Sequence, residues 1–182
     1  FDQFVPPVDG VDIPFIHRRS PHPDAMPLVL IHGWPGSVVE FHKVIEPLVD
    51  PVAHGGQASD AVHVVCPSLP GYGFSGKPTA TGWSVQKIAE VWAVLMDRLG
   101  YGRYGAQGGD WGAAVTTAIG VQDPAHCAGV HLNMPLARPS RDPADDTEAE
   151  TKAREALQYY RDWDSGYSKQ QSTRPQTLGY GL

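Results

Sequence analysis

The residues best placed to do chemistry surround Asp110, in the stretch GAQGGDWGAAV that runs from Gly105 to Val115. Glycines lie two positions away on either side of the aspartate, at Gly108 and Gly112. This spacing predicts a sharp strand-to-helix turn, too tight for larger side chains, that displays one reactive group. A carboxylate is already ionised at pH 7, so it can attack an electrophilic carbon without a separate base. The alternative is an ordinary turn in which Asp110 caps the following helix.

A second candidate feature is the sequence HGWPGS, which follows the short apolar run Leu28–Ile31. In a sheet that carries a reactive turn of this kind, the residue after the His-Gly pair contributes a backbone N–H to an oxyanion hole. That residue is Trp34, and the second donor would be the N–H of Trp111, directly after Asp110. Taken alone, HGWPGS is also typical of a plain turn, with Pro35 a candidate for a cis peptide bond. Because the two features follow separate strands, their joint presence favours one catalytic site.

Strands and helices alternate along the middle of the chain. Continuous apolar runs at Leu28–Ile31 and Val62–Val65 predict strands buried on both faces. Apolar residues recur at helical spacing from Ser84 to Leu99, which predicts a core-facing helix that Ser84 caps and Gly100 ends. Further strands are predicted in YGRYGAQ and AGVHLNMP, with the small-residue helix AAVTTAIG between them. This order predicts an α/β fold with a mostly parallel sheet and helices on both faces.

Changes in composition indicate three regions. Residues 1–27 mix Pro, His and short alternating runs such as Val11–Ile16, which predicts an extended meander with an edge strand. Residues 28–134 contain the alternating strands and helices. Residues 135–182 begin with a connector rich in Pro and Asp, and Thr147 with Glu150 forms a capping-box pattern that predicts a helix after it.

Composition and charge narrow the range of partners. The chain has a net charge of −6 and no cluster of Lys or Arg, which argues against binding to nucleic acid or to an anionic membrane. Its two cysteines, in no metal-like spacing, indicate neither a disulfide framework nor a metal site. No apolar run approaches the roughly 20 residues of a membrane helix, and no signal pattern opens the chain, so a cytoplasmic location is expected. Because the chain begins at Phe1 without a methionine, we expect sequence upstream of it.

The motifs HGWPGS, PSLPGYGFS and GGDWG, in this order, resemble those of epoxide hydrolases in the α/β-hydrolase superfamily, most of all the microsomal and juvenile-hormone-type branch. The first 27 residues resemble the N-terminal meander of that branch, and GYSKQQSTRPQTLGY resembles the beginning of its helical lid. The resemblance implies the first half of an α/β-hydrolase core at 28–134 and the start of the lid at 135–182. It also implies conversion of an epoxide and water to a vicinal diol through an ester on Asp110, with no metal or organic cofactor.

The resemblance implies roles for further residues. The oxygen of the opening epoxide needs a proton donor, which in the family is a lid tyrosine. Tyr167, in SGY, matches the first such position, and Tyr180 is the weaker candidate. Residues expected to line the substrate site are Trp34, Phe74 and Trp111. Such a lining favours a small lipophilic epoxide as the partner, together with water. A homodimer is compatible with the sequence.

Hydrolysis of the ester requires a histidine base and a supporting acid, which in the superfamily follow the nucleophile late in the chain. His126 and His131 stand elsewhere and are interpreted as structural. Asp142, Asp145 and Asp146 are interpreted as a solvated acidic run. We therefore expect this polypeptide to be incomplete as a catalyst, able at most to form the ester and stall.

Two other functions fit the same residues. A haloalkane dehalogenase shares an aspartate nucleophile followed by tryptophan, but it holds a halide with side-chain donors and needs no ring-opening tyrosine. HGWPGS and Tyr167 favour the epoxide hypothesis. A non-catalytic protein could instead retain the pocket for a hydrophobic ligand. A histidine late in any continuation of the sequence past Leu182 would favour catalysis over binding.

Overall fold

The computed structural model describes residues 2–136 and 146–181, and the chain divides into two units after Leu136. The first unit is built on strands β1 (Gln3–Phe4), β2 (Pro7–Val8), β3 (Val11–Asp12), β4 (Phe15–Arg18), β5 (Met26–Ile31), β6 (Val62–Pro67), β7 (Tyr104–Gly108) and β8 (Cys127–Leu132). Six of these form one sheet, in the order β1-β4-β6-β5-β7-β8. Strands β5 to β8 pair in parallel, while β1 and β4 pair antiparallel at one edge. The predicted α/β fold with a mostly parallel sheet is confirmed.

Helices cover both faces of this sheet. They are α1 (Ile45–Val49), α2 (Val85–Arg98) and α3 (Trp111–Gln122). Side chains of β5 alternate between two cores, because successive residues of a strand point to opposite faces. Val29 and Ile31 join the core that includes Trp92 of α2, whereas Leu30 joins the core that includes Ile45 of α1. The predicted cap of α2 is confirmed, since the Ser84 side chain accepts a hydrogen bond from the Lys87 N–H.

The edge strand predicted in the first 27 residues is confirmed, since β1 lies at one edge of the six-stranded sheet and pairs with β4. The alternating run Val11–Ile16 is divided between β3 and β4. Strands β2 and β3 form a separate antiparallel hairpin, with Val8 opposite Val11. Asp9 and Gly10 connect them with positive φ angles of 51° and 78°, a combination that two-residue hairpin turns favour. Pro14 then separates β3 from β4, because proline has no N–H for a ladder hydrogen bond.

The second unit contains α4 (Glu148–Tyr159), a π-helical turn at Tyr160–Asp164, α5 (Gly166–Thr173) and α6 (Pro175–Gly181). The predicted capping box is confirmed: Thr147 accepts from the Glu150 N–H, and the Glu150 carboxylate accepts from the Thr147 N–H. Most of the predicted connector, including Asp142 and Asp145, lies outside the described residues. Asp146 is not solvated as predicted, because its side chain is only 4% exposed and pairs with Arg154. Across 2–136 and 146–181, no helix combines the length and hydropathy needed to cross a bilayer.

Three partly or fully buried histidines of the first unit have lowered pKa values. His17 Nε2 lies 2.8 Å from the Tyr101 hydroxyl, and His63 Nδ1 accepts a hydrogen bond from the Ser20 N–H at 2.9 Å. Burial and then the positive charge of Arg19 lower the pKa of both rings below the usual 6.5. Burial also lowers the pKa of His32. All three histidines are therefore neutral in the folded protein at pH 7.

We expect the free energy of unfolding to fall as the pH drops below about 6.5, because the unfolded chain then takes up protons that the folded chain does not. Above that pH the stabilisation is complete, and below it each histidine costs at most about 1.4 kcal/mol per pH unit. Urea unfolding of the full-length protein between pH 5 and 8 measures the slope. His63→Gln should make the slope shallower, and the same change at exposed His54 should leave it unaltered. Equal slopes in wild type and His63→Gln would contradict the assignment.

Candidate active site

Asp110 occupies the turn between β7 and α3. Its backbone has φ 51° and ψ −126°, a region that residues other than glycine rarely adopt. Holding such a conformation costs about 1–3 kcal/mol, which the surrounding packing must offset. The carboxylate makes no capping hydrogen bond to α3. The alternative in which Asp110 is an ordinary helix cap is therefore wrong, and the strained turn presents the side chain away from its own helix.

The glycines around Asp110 permit close backbone packing. A Cβ at Gly108 would overlap the carbonyl oxygen of Gly112, and a Cβ at Gly112 would overlap the carbonyl oxygen of Ile31. The start of α3 thus lies directly against the ends of β5 and β7. The predicted reason for the small residues, a turn too tight for side chains, is confirmed.

The loop after β5 supplies a hydrogen-bond donor to this carboxylate. The backbone N–H of Trp34 donates to Asp110 Oδ1 at 2.8 Å. Gly33 allows the approach, because a Cβ there would overlap the Asp110 side chain. The Trp34–Pro35 peptide bond is cis, as predicted. Trp111 is the first residue of α3, where N–H groups have no acceptor within the helix, so its amide is available beside Asp110.

A cavity of about 1140 Å³ opens over Asp110. Its lining within the first unit is mostly apolar, with Glu40, Gln107, His131 and Asn133 as the other polar residues. Partial burial, and then the negative charge of Asp110, raise the pKa of the Glu40 carboxyl above its usual value. The same two causes raise the pKa of the Tyr72 phenol. An anionic carboxylate in a concave, largely apolar site suits attack on a small uncharged ligand.

The predicted lining residues are only partly brought together. Trp34 lines the cavity, but Phe74 is 96% exposed and does not. The reason is the loop conformation, in which Gly71 and Gly73 both have positive φ and turn Tyr72, rather than Phe74, toward the interior. The Tyr72 ring packs edge-on against His32, with centroids 5.4 Å apart. The Trp111 side chain is 53% exposed and is also not among the lining residues.

The tyrosine candidates lie in the second unit. Tyr167 is on α5, 60% exposed, and the Tyr160 hydroxyl donates to the Tyr167 hydroxyl at 3.4 Å across the π-helical turn. Tyr180 is on α6 and is 87% exposed. The role of Tyr167 as a proton donor stays a prediction.

Two neighbours of Asp110, Glu40 and Tyr72, were not predicted as site residues. Glu40 stands four residues after Gly36 of HGWPGS, in a 3₁₀ turn at Val38–Phe41 that the Ser37 side chain caps. A serine followed three residues later by a glutamate is typical of a capped helical turn, and this pattern could have predicted that Glu40 lies in a turn next to the HGWPGS loop. Tyr72 is one of two aromatic residues in the same glycine-rich loop, and sequence alone does not show which one turns inward.

Known proteins share this architecture. A family model described as alpha/beta hydrolase fold matches residues 26–179, and one described as epoxide hydrolase N terminus matches residues 1–41. A protein of Stigmatella aurantiaca named "Putative epoxide hydrolase" is 53% identical over 183 residues, which covers 100% of this chain and 42% of that protein. The structure of Aspergillus niger epoxide hydrolase matches with 35% identity and a TM-score of 0.73, covering 99% of this chain and 47% of that one. The structure of juvenile hormone epoxide hydrolase from the silkworm Bombyx mori matches with 33% identity and a TM-score of 0.77, and the match covers 98% of this chain and 46% of that one.

The chain thus spans less than half the length of these three proteins. Both family models match within that span. The same span contains the mostly parallel sheet, the strained Asp110 turn and the cis Trp34–Pro35 peptide bond. The chain belongs to the alpha/beta hydrolase fold family, and its first 41 residues match the model of the epoxide hydrolase N terminus.

Proposed function

We propose that the protein hydrolyses a small lipophilic epoxide to a vicinal diol through a covalent ester on Asp110. The observation that carries the proposal is the Asp110 turn itself. A carboxylate is held at φ 51°, away from its own helix, and contacts the Trp34 N–H at 2.8 Å over an open cavity. The names of the similar proteins from Stigmatella aurantiaca, Aspergillus niger and Bombyx mori support an epoxide as the substrate.

In the first step, a carboxylate oxygen of Asp110 attacks one epoxide carbon, and the bond from that carbon to the ring oxygen breaks. The ring oxygen leaves as an alkoxide and takes a proton. Tyr167 is the proposed donor, on the strength of the family resemblance of SGY. A phenol fits this role because it is a weak acid that is protonated at pH 7.

In the second step, water loses a proton to a base and attacks the carbonyl carbon of the ester. The negative charge that develops on the carbonyl oxygen needs donors that are already in place, and removal of one such donor typically slows a reaction by about 10²–10³-fold. The Trp34 and Trp111 amides are the proposed donors. Collapse of the intermediate breaks the bond between the carbonyl carbon and the diol oxygen, which releases the diol and returns Asp110 as a carboxylate. The proton taken up by the base then restores the Tyr167 phenol. We assign the base to no residue among 2–136 and 146–181.

Isotope labelling of a single turnover tests the covalent ester. The full-length protein, in excess over styrene oxide, reacts once in heavy-oxygen water. The first diol should contain only ordinary oxygen, because its new oxygen comes from Asp110, and the heavy atom should enter the Asp110 carboxylate. Tandem mass spectrometry of the digested protein locates the label, with Asp123 of the neighbouring sequence as an internal control. Heavy oxygen in the first diol and none in Asp110 would overturn the proposal, and halide release from 1-chlorohexane would favour a dehalogenase.

A further inference from the structure

His32, in the loop after β5, is fully buried and makes hydrogen bonds with both ring nitrogens. Its Nε2 lies 3.0 Å from the backbone nitrogen of Leu69. A backbone N–H can only donate, so Nε2 must be the acceptor and the ring proton must be on Nδ1. That proton points to the carbonyl oxygen of Gly33, 3.0 Å from Nδ1. The Leu69 N–H, 37 residues further along the chain, therefore determines which tautomer the His32 ring adopts.

The Gly33 carbonyl and the Trp34 N–H belong to the same peptide group. Because that group is planar, holding its oxygen also fixes the direction of its N–H. The N–H is the one that donates to Asp110 Oδ1 at 2.8 Å. A continuous chain of hydrogen bonds thus runs from the Leu69 N–H through the His32 ring and the Gly33–Trp34 peptide to the Asp110 carboxylate. Successive hydrogen bonds polarise one another, so a donor on the carbonyl makes the N–H a better donor.

We propose that His32 is a positioning residue that aims and polarises the Trp34 amide for the oxyanion of the ester intermediate. The inference rests on the proposed function, since it assumes that an ester on Asp110 is formed and hydrolysed. His32 does not touch the reacting atoms. It acts through the one peptide group that it shares with the donor, and it stays neutral because burial lowers its pKa.

Two substitutions separate its two hydrogen bonds. In His32→Asn the side-chain amide takes the place of Nδ1, so it can still donate to the Gly33 carbonyl but does not reach Leu69. In His32→Gln the longer side chain takes the place of Nε2, so it can still accept from the Leu69 N–H but does not hold the Gly33 carbonyl. We expect catalysis to depend on the hydrogen bond that His32 donates to the Gly33 carbonyl, and not on the one that it accepts from the Leu69 N–H.

The test uses the full-length protein with styrene oxide and measures ester formation and ester hydrolysis separately, by acid quench and mass spectrometry of the Asp110 peptide. His32→Gln should slow ester hydrolysis about 10–100-fold, a part of the loss expected for a whole oxyanion donor, and ester should accumulate. His32→Asn should stay within about threefold of wild type after both variants are compared for thermal stability. Equal losses in the two variants, or losses confined to KM, would overturn the inference. Absence of any ester in the wild type would instead contradict the proposed function.

A measurement on the wild-type protein applies even if a variant does not fold. Long-range proton–nitrogen NMR correlations of the assigned His32 ring distinguish its two tautomers. The structure requires the proton on Nδ1 at pH 7. A proton on Nε2 would mean that His32 donates nothing to Gly33, and the inference would fail.

Discussion

Asp110→Asn should abolish epoxide turnover, with kcat/KM reduced by at least about 10⁴-fold. An amide nitrogen or oxygen does not replace an ionised carboxylate as the nucleophile, so no ester forms. The fold should be unchanged, because the asparagine Oδ1 can still accept the 2.8 Å hydrogen bond from the Trp34 N–H. Asparagine also tolerates positive φ nearly as well as aspartate does. The loss would therefore report chemistry rather than stability.

The chain offers a matched control for this change. Asp9 is the other described residue apart from glycine with a positive φ, and its φ is also 51°. It lies in the hairpin turn far along the sequence from the site and pairs with Lys87 at 2.8 Å on the surface. Asp9→Asn should lose at most about 1 kcal/mol of stability and no activity. Diol formation by gas chromatography measures both variants. Residual turnover above a few hundredths of wild type in Asp110→Asn would indicate direct attack by water.

Local sequence patterns were enough to predict the parts of the fold and site that local rules determine. Gly108 and Gly112 mark the turn around Asp110, because a side chain at either position would overlap backbone atoms. A sequence shows this requirement directly as a glycine. The caps of α2 and α4 were predicted for the same reason, since each depends on residues three positions apart. The division of the run Val11–Ile16 between β3 and β4 also has a local cause, because Pro14 has no N–H to donate to a neighbouring strand.

Residues whose roles depend on distant partners could not be assigned in advance. The two hydrogen bonds of His32 involve Leu69, which is 37 residues away, so no pattern around HGWPGS indicates them. Tyr72 and Phe74 lie two residues apart in the same loop, and only the fold shows that Tyr72 packs against His32 while Phe74 is exposed. Glu40 becomes part of the site because the HGWPGS loop and the Asp110 turn meet at the carboxyl ends of neighbouring strands. These features arise from the meeting of β5, β6 and β7 rather than from any one segment.

Gly33→Ala should reduce kcat/KM by about 10²–10³-fold while leaving the protein folded. The added Cβ would overlap the Asp110 Cβ and lie 2.5 Å from its Oδ1, so the HGWPGS loop and the Asp110 turn must move apart. This movement breaks the hydrogen bond from the Trp34 N–H and misplaces the nucleophile. Gly33 has no positive φ, so the alanine backbone itself adds no strain, but the overlap with Asp110 should lower the thermal midpoint.

Gly102→Ala is the matched control, because Gly102 also lacks a positive φ and a Cβ there meets nothing within 4 Å. Steady-state kinetics at a temperature where both variants are folded should show a large activity loss for Gly33→Ala alone, and thermal unfolding should show a lower midpoint for that variant alone. Both proposed steps should be slower. Ester formation is slower because the displaced carboxylate is a poorer nucleophile, and ester hydrolysis is slower because the ester carbonyl lies out of reach of the Trp34 amide. Full activity in Gly33→Ala would show that the contact between the HGWPGS loop and Asp110 is not needed for catalysis, and the oxyanion-hole assignment of Trp34 would have to be abandoned.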